Sequence, residues 1–140
     1  MSEQRSASIA PLLTLTAQTR LVHGIPKTFL GDRSVFDIVG GSFDGPGLSG
    51  SVLASGGDWV LRTQAGSQLD VRLLLRTHED VVIAFRYAGR ASLCQGQPRI
   101  EVAGSFEAPE GAYAWLNTVQ AFGLGAPIAD GVRYEFYRFD

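Results

Sequence analysis

Cysteine is almost missing from this 140-residue chain. Cys94 is the only one, which excludes an internal disulfide and a cysteine-ligated metal cluster. A lone cysteine reads as an inert buried hydrophobe, and nothing near it in sequence would lower its pKa and make it a nucleophile. Lysine is as scarce, Lys27 being the only one. Positive charge is therefore carried by arginine, which favours fixed, geometry-specific pairing. There is no strong charge of either sign: 12 basic and 14 acidic residues leave a net charge of −2. That balance provides no electrostatic footprint for nucleic acid or anionic lipid. No apolar run approaches the ~18 residues that span a bilayer, and the opening "MSEQRSASIAPLL" lacks the apolar core of a secretory signal. The expectation is a cytoplasmic protein that engages neither nucleic acid nor membrane.

Motifs for several chemistries are also absent. The two histidines, His23 and His78, lie far apart in loop-like contexts, too few for a metal site, so no metal and no other cofactor is expected. The glycine-rich "GSFDGPGLSG" (41–50) is not followed by the helix that a phosphate cradle needs. No Gly-x-Ser-x-Gly elbow occurs, which argues against a serine-triad hydrolase.

Glycine, by contrast, is abundant, with 17 residues in 140. It punctuates short runs rich in Val, Leu, Phe and Tyr, the pattern of an all-β sandwich or barrel. The spacing predicts strands near 11–20, 34–43, 48–54, 58–64, 68–77, 81–89, 98–107, 113–122 and 131–139. Length and the 45% apolar content fit one self-sufficient domain over 9–140, preceded by a loose polar tail over 1–8. Helical signal is weak. The best candidate, "AYAWLNTVQAF" (112–122), also alternates as a strand at Tyr113, Trp115 and Asn117, and is read as one. The runs 81–87 and 132–139 are apolar or aromatic on both faces, as in strands covered both by the core and by a partner subunit.

The sharpest alternation is in "LDVRLLLR" (69–76). Leu69, Val71, Leu73 and Leu75 fall on one face; Asp70, Arg72, Leu74 and Arg76 fall on the other. Periodicity leaves two orientations open. The charged face lies in bulk water, or it turns inward and pairs a carboxylate with a guanidinium in a semi-apolar cavity. Inward, Arg72 holds an anionic oxygen and Asp70 moves a proton. Arg86 on the following strand poses the same choice. Tyr113, Trp115 and Asn117 supply aromatic walls and an amide, or else a core tryptophan with a capping asparagine. Trp59 is an edge or core aromatic, or a lid over a barrel mouth. His78-Glu79-Asp80 reads as a turn.

The stretches "GGSFDGPGLSGSVLASGGDW" (40–59), "LDVRLLLRT" (69–77), "FEAPEGAYAWLN" (106–117) and "DGVRYEFYR" (130–138) together resemble the domain-of-unknown-function family 3237, in order and spacing from about residue 12 onward. The resemblance implies a single antiparallel, calycin-like or lipocalin-like β-barrel of about eight to nine strands, with a central cavity and an oligomeric assembly. It also implies that Trp59, Asp70, Arg72, Trp115 and Asn117 gather around one site and that Asp70 and Arg72 face inward. Residues 90–105, with Arg99, Glu101 and Val102, depart from the family pattern.

Three functions fit such a barrel. The first is a cofactor-free enzyme that isomerises, cyclises, hydrates or eliminates on an oxygenated aromatic, polyketide or terpenoid compound. Asp70, Arg72 and Asn117 would be catalytic, and Trp59, Arg86, Tyr113 and Trp115 would bind substrate. The second is a ligand carrier or sensor without turnover. The third is a homo-oligomeric scaffold.

Overall fold

The computed structural model describes residues 3–140. Eight antiparallel strands follow one another around a closed barrel: β1 (Ile9–Ile25), β2 (Asp32–Gly45), β3 (Leu48–Thr63), β4 (Gly66–Thr77), β5 (Val82–Cys94), β6 (Gln97–Glu107), β7 (Ala121–Ile128) and β8 (Gly131–Phe139). The glycine-punctuated runs left sandwich and barrel open; the antiparallel barrel that the family resemblance implies is the observed fold. Residues 3–8 carry no regular structure; residues 1–2 of the expected tail lie outside the described residues. No helix is long and apolar enough to cross a membrane.

Two expected strands differ. The chain does not break at Gly56-Gly57; β3 runs straight through as a single strand. Its register slips against β4 between Val52 and Gly56 and against β2 between residues 51 and 57. Gly56 absorbs the slip with a φ of +86°, a conformation that side chains resist. The expected strand over 113–122 is instead a 3₁₀ turn, Ala114–Thr118, followed by β7. Alternation at Tyr113, Trp115 and Asn117 mimicked a strand. The turn forms because Leu116 and Val119 enter the core while the Asn117 side chain completes the backbone of Ala108 in the preceding loop. Cys94, expected to be buried, is exposed at the β5–β6 turn.

The barrel interior is packed with side chains. β4 contributes Leu69, Val71, Leu73 and Leu75, all buried. Phe85 stacks on Phe106 with ring centroids 4.1 Å apart and meets Phe136 edge-on at 5.0 Å. Tyr87 and Tyr134 continue the cluster at 5.0 Å. Such ring pairs add ~0.5–1.5 kcal/mol each beyond area burial. At one end the sheet overhangs. β1 pairs with β8 only as far as Gln18↔Gly131, whereas β1 and β2 stay paired out to Ile25↔Arg33. The resulting hairpin exposes Leu21, Val22, Ile25 and Leu30, and Phe29 is 97% exposed.

Close approach of strands explains Gly41. Its φ is +141°, and a Cβ there would collide with the backbone carbonyl of Thr16 on β1. Gly41→Ala is expected to destabilise the fold by about 2 kcal/mol or more, read as a lower urea midpoint with an unchanged denaturant slope.

Candidate functional site

Strand pleat decides where each candidate residue points. With the β4 leucines and Val71 inside, Asp70, Arg72 and Arg76 lie exposed on the outer wall. The inward orientation expected for Asp70 and Arg72 is therefore corrected: the aromatic and aliphatic core occupies the barrel's mid-height, so charges on alternate positions face out. Trp59, on β3, also points outward and is 55% exposed. It is a wall residue rather than a lid.

Register brings four of the expected site residues together on that wall. Trp59 pairs with Asp70, and Gly57 with Arg72. Arg72 pairs in turn with Arg86. Arg86 Nε lies 3.9 Å from Asp70 Oδ1, a loose, solvent-screened contact worth little for stability. Arg72 forms no ion pair among the described residues. Arg33 on β2 sets its guanidinium carbon 5.9 Å from the centroid of the Trp59 ring, within cation–π range. Three adjoining hollows of about 620, 380 and 490 Å³ share these residues. Arg72 lines the first two, Asp70 and Trp59 the last two, and Arg86 the first and third. Together they make a shallow groove with an aromatic plate, four guanidiniums (Arg33, Arg72, Arg86 and Arg90), Asp70 at the centre, and Asp37 and Glu107 as further carboxylates along it.

The remaining candidates lie elsewhere, so the expectation of one gathered site is corrected for them. Asn117 accepts from the Ala108 N–H at 2.7 Å and donates to the Ala108 carbonyl at 3.0 Å. Its amide is fully engaged in holding the β6–β7 connection. The Tyr113 hydroxyl donates to Glu79 Oε1 at 2.7 Å, tying that connection to the β4–β5 turn. Trp115 lies under Arg138, 5.5 Å from the guanidinium carbon. None of the three lines the groove.

Sequence reasoning missed Asp58. It precedes Trp59, so the same pleat that turns the ring outward turns this carboxylate inward, where it is 6% exposed. Its Oδ1 has no hydrogen-bond partner. Burial raises its pKa from 3.8 to about 7; the backbone amide of Asp70 pulls it down and the Asp70 charge pushes it up. Tyr87 and Tyr134 share the interior with it. Both phenols are pushed up, chiefly by burial, with the Asp58 charge contributing. The available signal was parity along β3, because an exposed Trp59 forces a buried Asp58. Among the described residues no three His, Cys, Asp or Glu side chains converge as a metal site would require.

The family model described as a protein of unknown function, DUF3237, matches residues 7–139. The chain belongs to the DUF3237 family. No curated protein matches the sequence. Solved structures share the DUF3237 barrel at low identity. A β-barrel-like protein from Acinetobacter baumannii AYE is 21% identical with a TM-score of 0.89, over 100% of both chains. A conserved protein of unknown function from Rhodopseudomonas palustris is 21% identical with a TM-score of 0.89, over 98% of this chain and 100% of its own. An enzyme from Penicillium herquei is 17% identical with a TM-score of 0.81, over 100% of both. Likeness at this level speaks for the fold.

Asp58 makes the stability of this DUF3237 barrel pH-dependent. Below about 3.8 the carboxyl is protonated in the folded and unfolded chains alike, and its contribution to stability is complete. As pH rises the unfolded chain releases its proton first, while the folded chain keeps its own until about 7. This group's contribution therefore declines by about 4 kcal/mol across that window and levels off above it. Asp58→Asn is expected to remove the decline and to be the more stable protein at pH 8. Urea unfolding at unit steps from pH 4 to 8 checks this; parallel curves for the two proteins would rule Asp58 out as the group.

Proposed function

We propose that the outer groove binds a small, planar, oxygenated anion and that the protein performs cofactor-free acid–base chemistry on it. The observation that carries this reading is the direct cross-strand pairing of Arg72 with Arg86. Like charges placed opposite one another on a sheet face are unfavourable, and two guanidiniums side by side with one loosely held carboxylate suit an incoming anion. A carboxylate, enolate or phenolate oxygen would sit between them in charge-assisted hydrogen bonds. The exposed ring of Trp59 would stack on an aromatic or conjugated body.

Asp70 then sits beside the bound anion and opposite Trp59. In an isomerisation, its carboxylate takes a proton from a carbon next to a carbonyl. The electron pair moves onto the carbonyl oxygen as an enolate, and Arg72 stabilises that charge. Return of the proton at a different atom completes the isomerisation. Loss of a β-hydroxyl from the enolate, leaving as water with the proton that Asp70 took, gives elimination. In reverse, water or an internal hydroxyl adds to the β-carbon of a conjugated carbonyl while Asp70 takes its proton and returns it to the α-carbon, which gives hydration or cyclisation. The Penicillium herquei neighbour is described as an enzyme, which supports turnover over passive carriage. A ligand carrier remains the alternative if binding occurs without it.

Calorimetric titration with 2-naphthoate is expected to give a dissociation constant in the micromolar to millimolar range. Arg72→Ala and Trp59→Ala should each weaken it by about tenfold, the value of one charged hydrogen bond or one stacked ring. Absence of saturable binding by any aromatic carboxylate or phenolate overturns the reading. With phenylpyruvate in D2O, accelerated exchange of the enolisable protons that is lost in Asp70→Asn, with binding kept, identifies the enzyme. Unaccelerated exchange with binding intact favours the carrier.

We also infer self-association through the overhanging hairpin. β1 beyond Gln18 lacks a β8 partner, and Leu21, Val22, Ile25, Phe29 and Leu30 are exposed there. A free edge beside an apolar surface suits strand pairing with a second copy. Light scattering at micromolar concentration is expected to show an oligomer that Val22→Lys with Phe29→Asp reduces to a monomer. A wild-type monomer would refute it.

A further inference from the structure

Asp58 is not part of the groove, yet it lies directly beneath it. It sits on β3 between Gly57 and Trp59, whose cross-strand partners are Arg72 and Asp70. Its own partners, Val71 on β4 and Phe36 on β2, are uncharged. The titratable or charged groups that face it are Tyr87 on β5 and Tyr134 on β8 inside the barrel, and Asp70 across the wall on β4. Among the described residues no cation acts on it from the interior. A buried oxygen without a partner is unfavourable by roughly 1–3 kcal/mol, and a hydrophobic core gains nothing from it. A carboxyl kept at such a place is better explained by what its proton does for the wall outside.

We propose that Asp58 is a positioning residue for the groove, holding the site ready for an anion while it carries its proton and weakening it when the proton leaves. The inference rests on the groove being the anion site. The physical route is short. An ionised Asp58 places a second negative charge behind the wall that carries Asp70, separated from the groove by the thickness of one strand and by little water. Charge–charge interactions across such low-dielectric material are far less screened than on the surface. Asp58 also pairs across the sheet with Val71, the residue between Asp70 and Arg72. An anion in the groove and a proton on Asp58 therefore favour each other. By reciprocity each raises the other's affinity by the same factor.

The test uses 2-naphthoate, a carboxylate that stays ionised across the range tested. Wild-type affinity is expected to fall by about five- to tenfold between pH 6 and 8, within the usual range of site–site coupling. Asp58→Asn is expected to bind with the tight, low-pH affinity throughout. His23 and His78 remain in that variant, so any contribution from them persists in it. A second measurement needs no substitution: the 13C shift of the Asp58 carboxyl, followed by NMR, should titrate at a higher pH when naphthoate is bound. Affinity that stays flat with pH while Asp58 titrates overturns this proposal and leaves the groove intact. Absence of naphthoate binding at every pH overturns the groove and this proposal together.

Discussion

The packing of Phe85 against Phe106 and Phe136, continued by Tyr87 and Tyr134, is the constraint on which the rest of the molecule depends. A small barrel has room at mid-height for one filling, and here rings and branched chains occupy it. Once they do, the two-residue period of each strand sends every intervening side chain to the outside. The charged positions of β4 and β5 follow from that choice, and so does the register that sets Arg72 against Arg86. The charged side chains of β4 and β5 therefore lie on the wall rather than in the lumen.

Two interior positions are polar, Thr77 and Asp58, and Asp58 is the one that can carry charge. Asp58 occupies a place that the period reserves for an apolar residue, and it does so next to the irregular stretch of β3. The slip in register between Val52 and Gly56 and the polar interior position lie within a few residues of each other. Departures from ideal strand geometry commonly accompany functional positions. The wall around Gly56, Gly57 and Trp59 thus adjoins one of the irregular stretches of the sheet, and it is the part that carries the groove.

Much of this was legible in the sequence. The glycine punctuation and the alternation from Leu69 to Arg76 pointed to an all-β sandwich or barrel and to both faces of β4, and the family resemblance chose the barrel. Parity, however, is silent about which face looks inward, and Leu74 on the charged face weakened the outward reading. Only the volume of the rings contributed by distant strands breaks that tie. Trp59, Asp70, Arg72 and Arg86 were grouped by resemblance and by residue type, and strand register does bring them together. Tyr113, Trp115 and Asn117 were grouped with them wrongly, because an alternating triplet looks alike in a strand and in a 3₁₀ turn. Asn117 is consumed by the backbone of Ala108, a role that depends on a loop nine residues away. Asp58 went unnoticed because its meaning depends on the orientation of its neighbour.

The pairing of Ile9 with Phe139 has a bearing on how the chain reaches its native state. Of the eight strands, the two that seal the barrel are the first and the last to be made. Until the nine residues of β8 are available, β1 and β7 each present an unsatisfied row of amides and carbonyls to the cell. Pairings between such remote segments are slow to form because so much chain entropy is lost before any contact is gained. The nascent barrel is consequently most prone to sticking before β8 is made, and removing a few residues from β8 would reopen the seam that everything else presupposes.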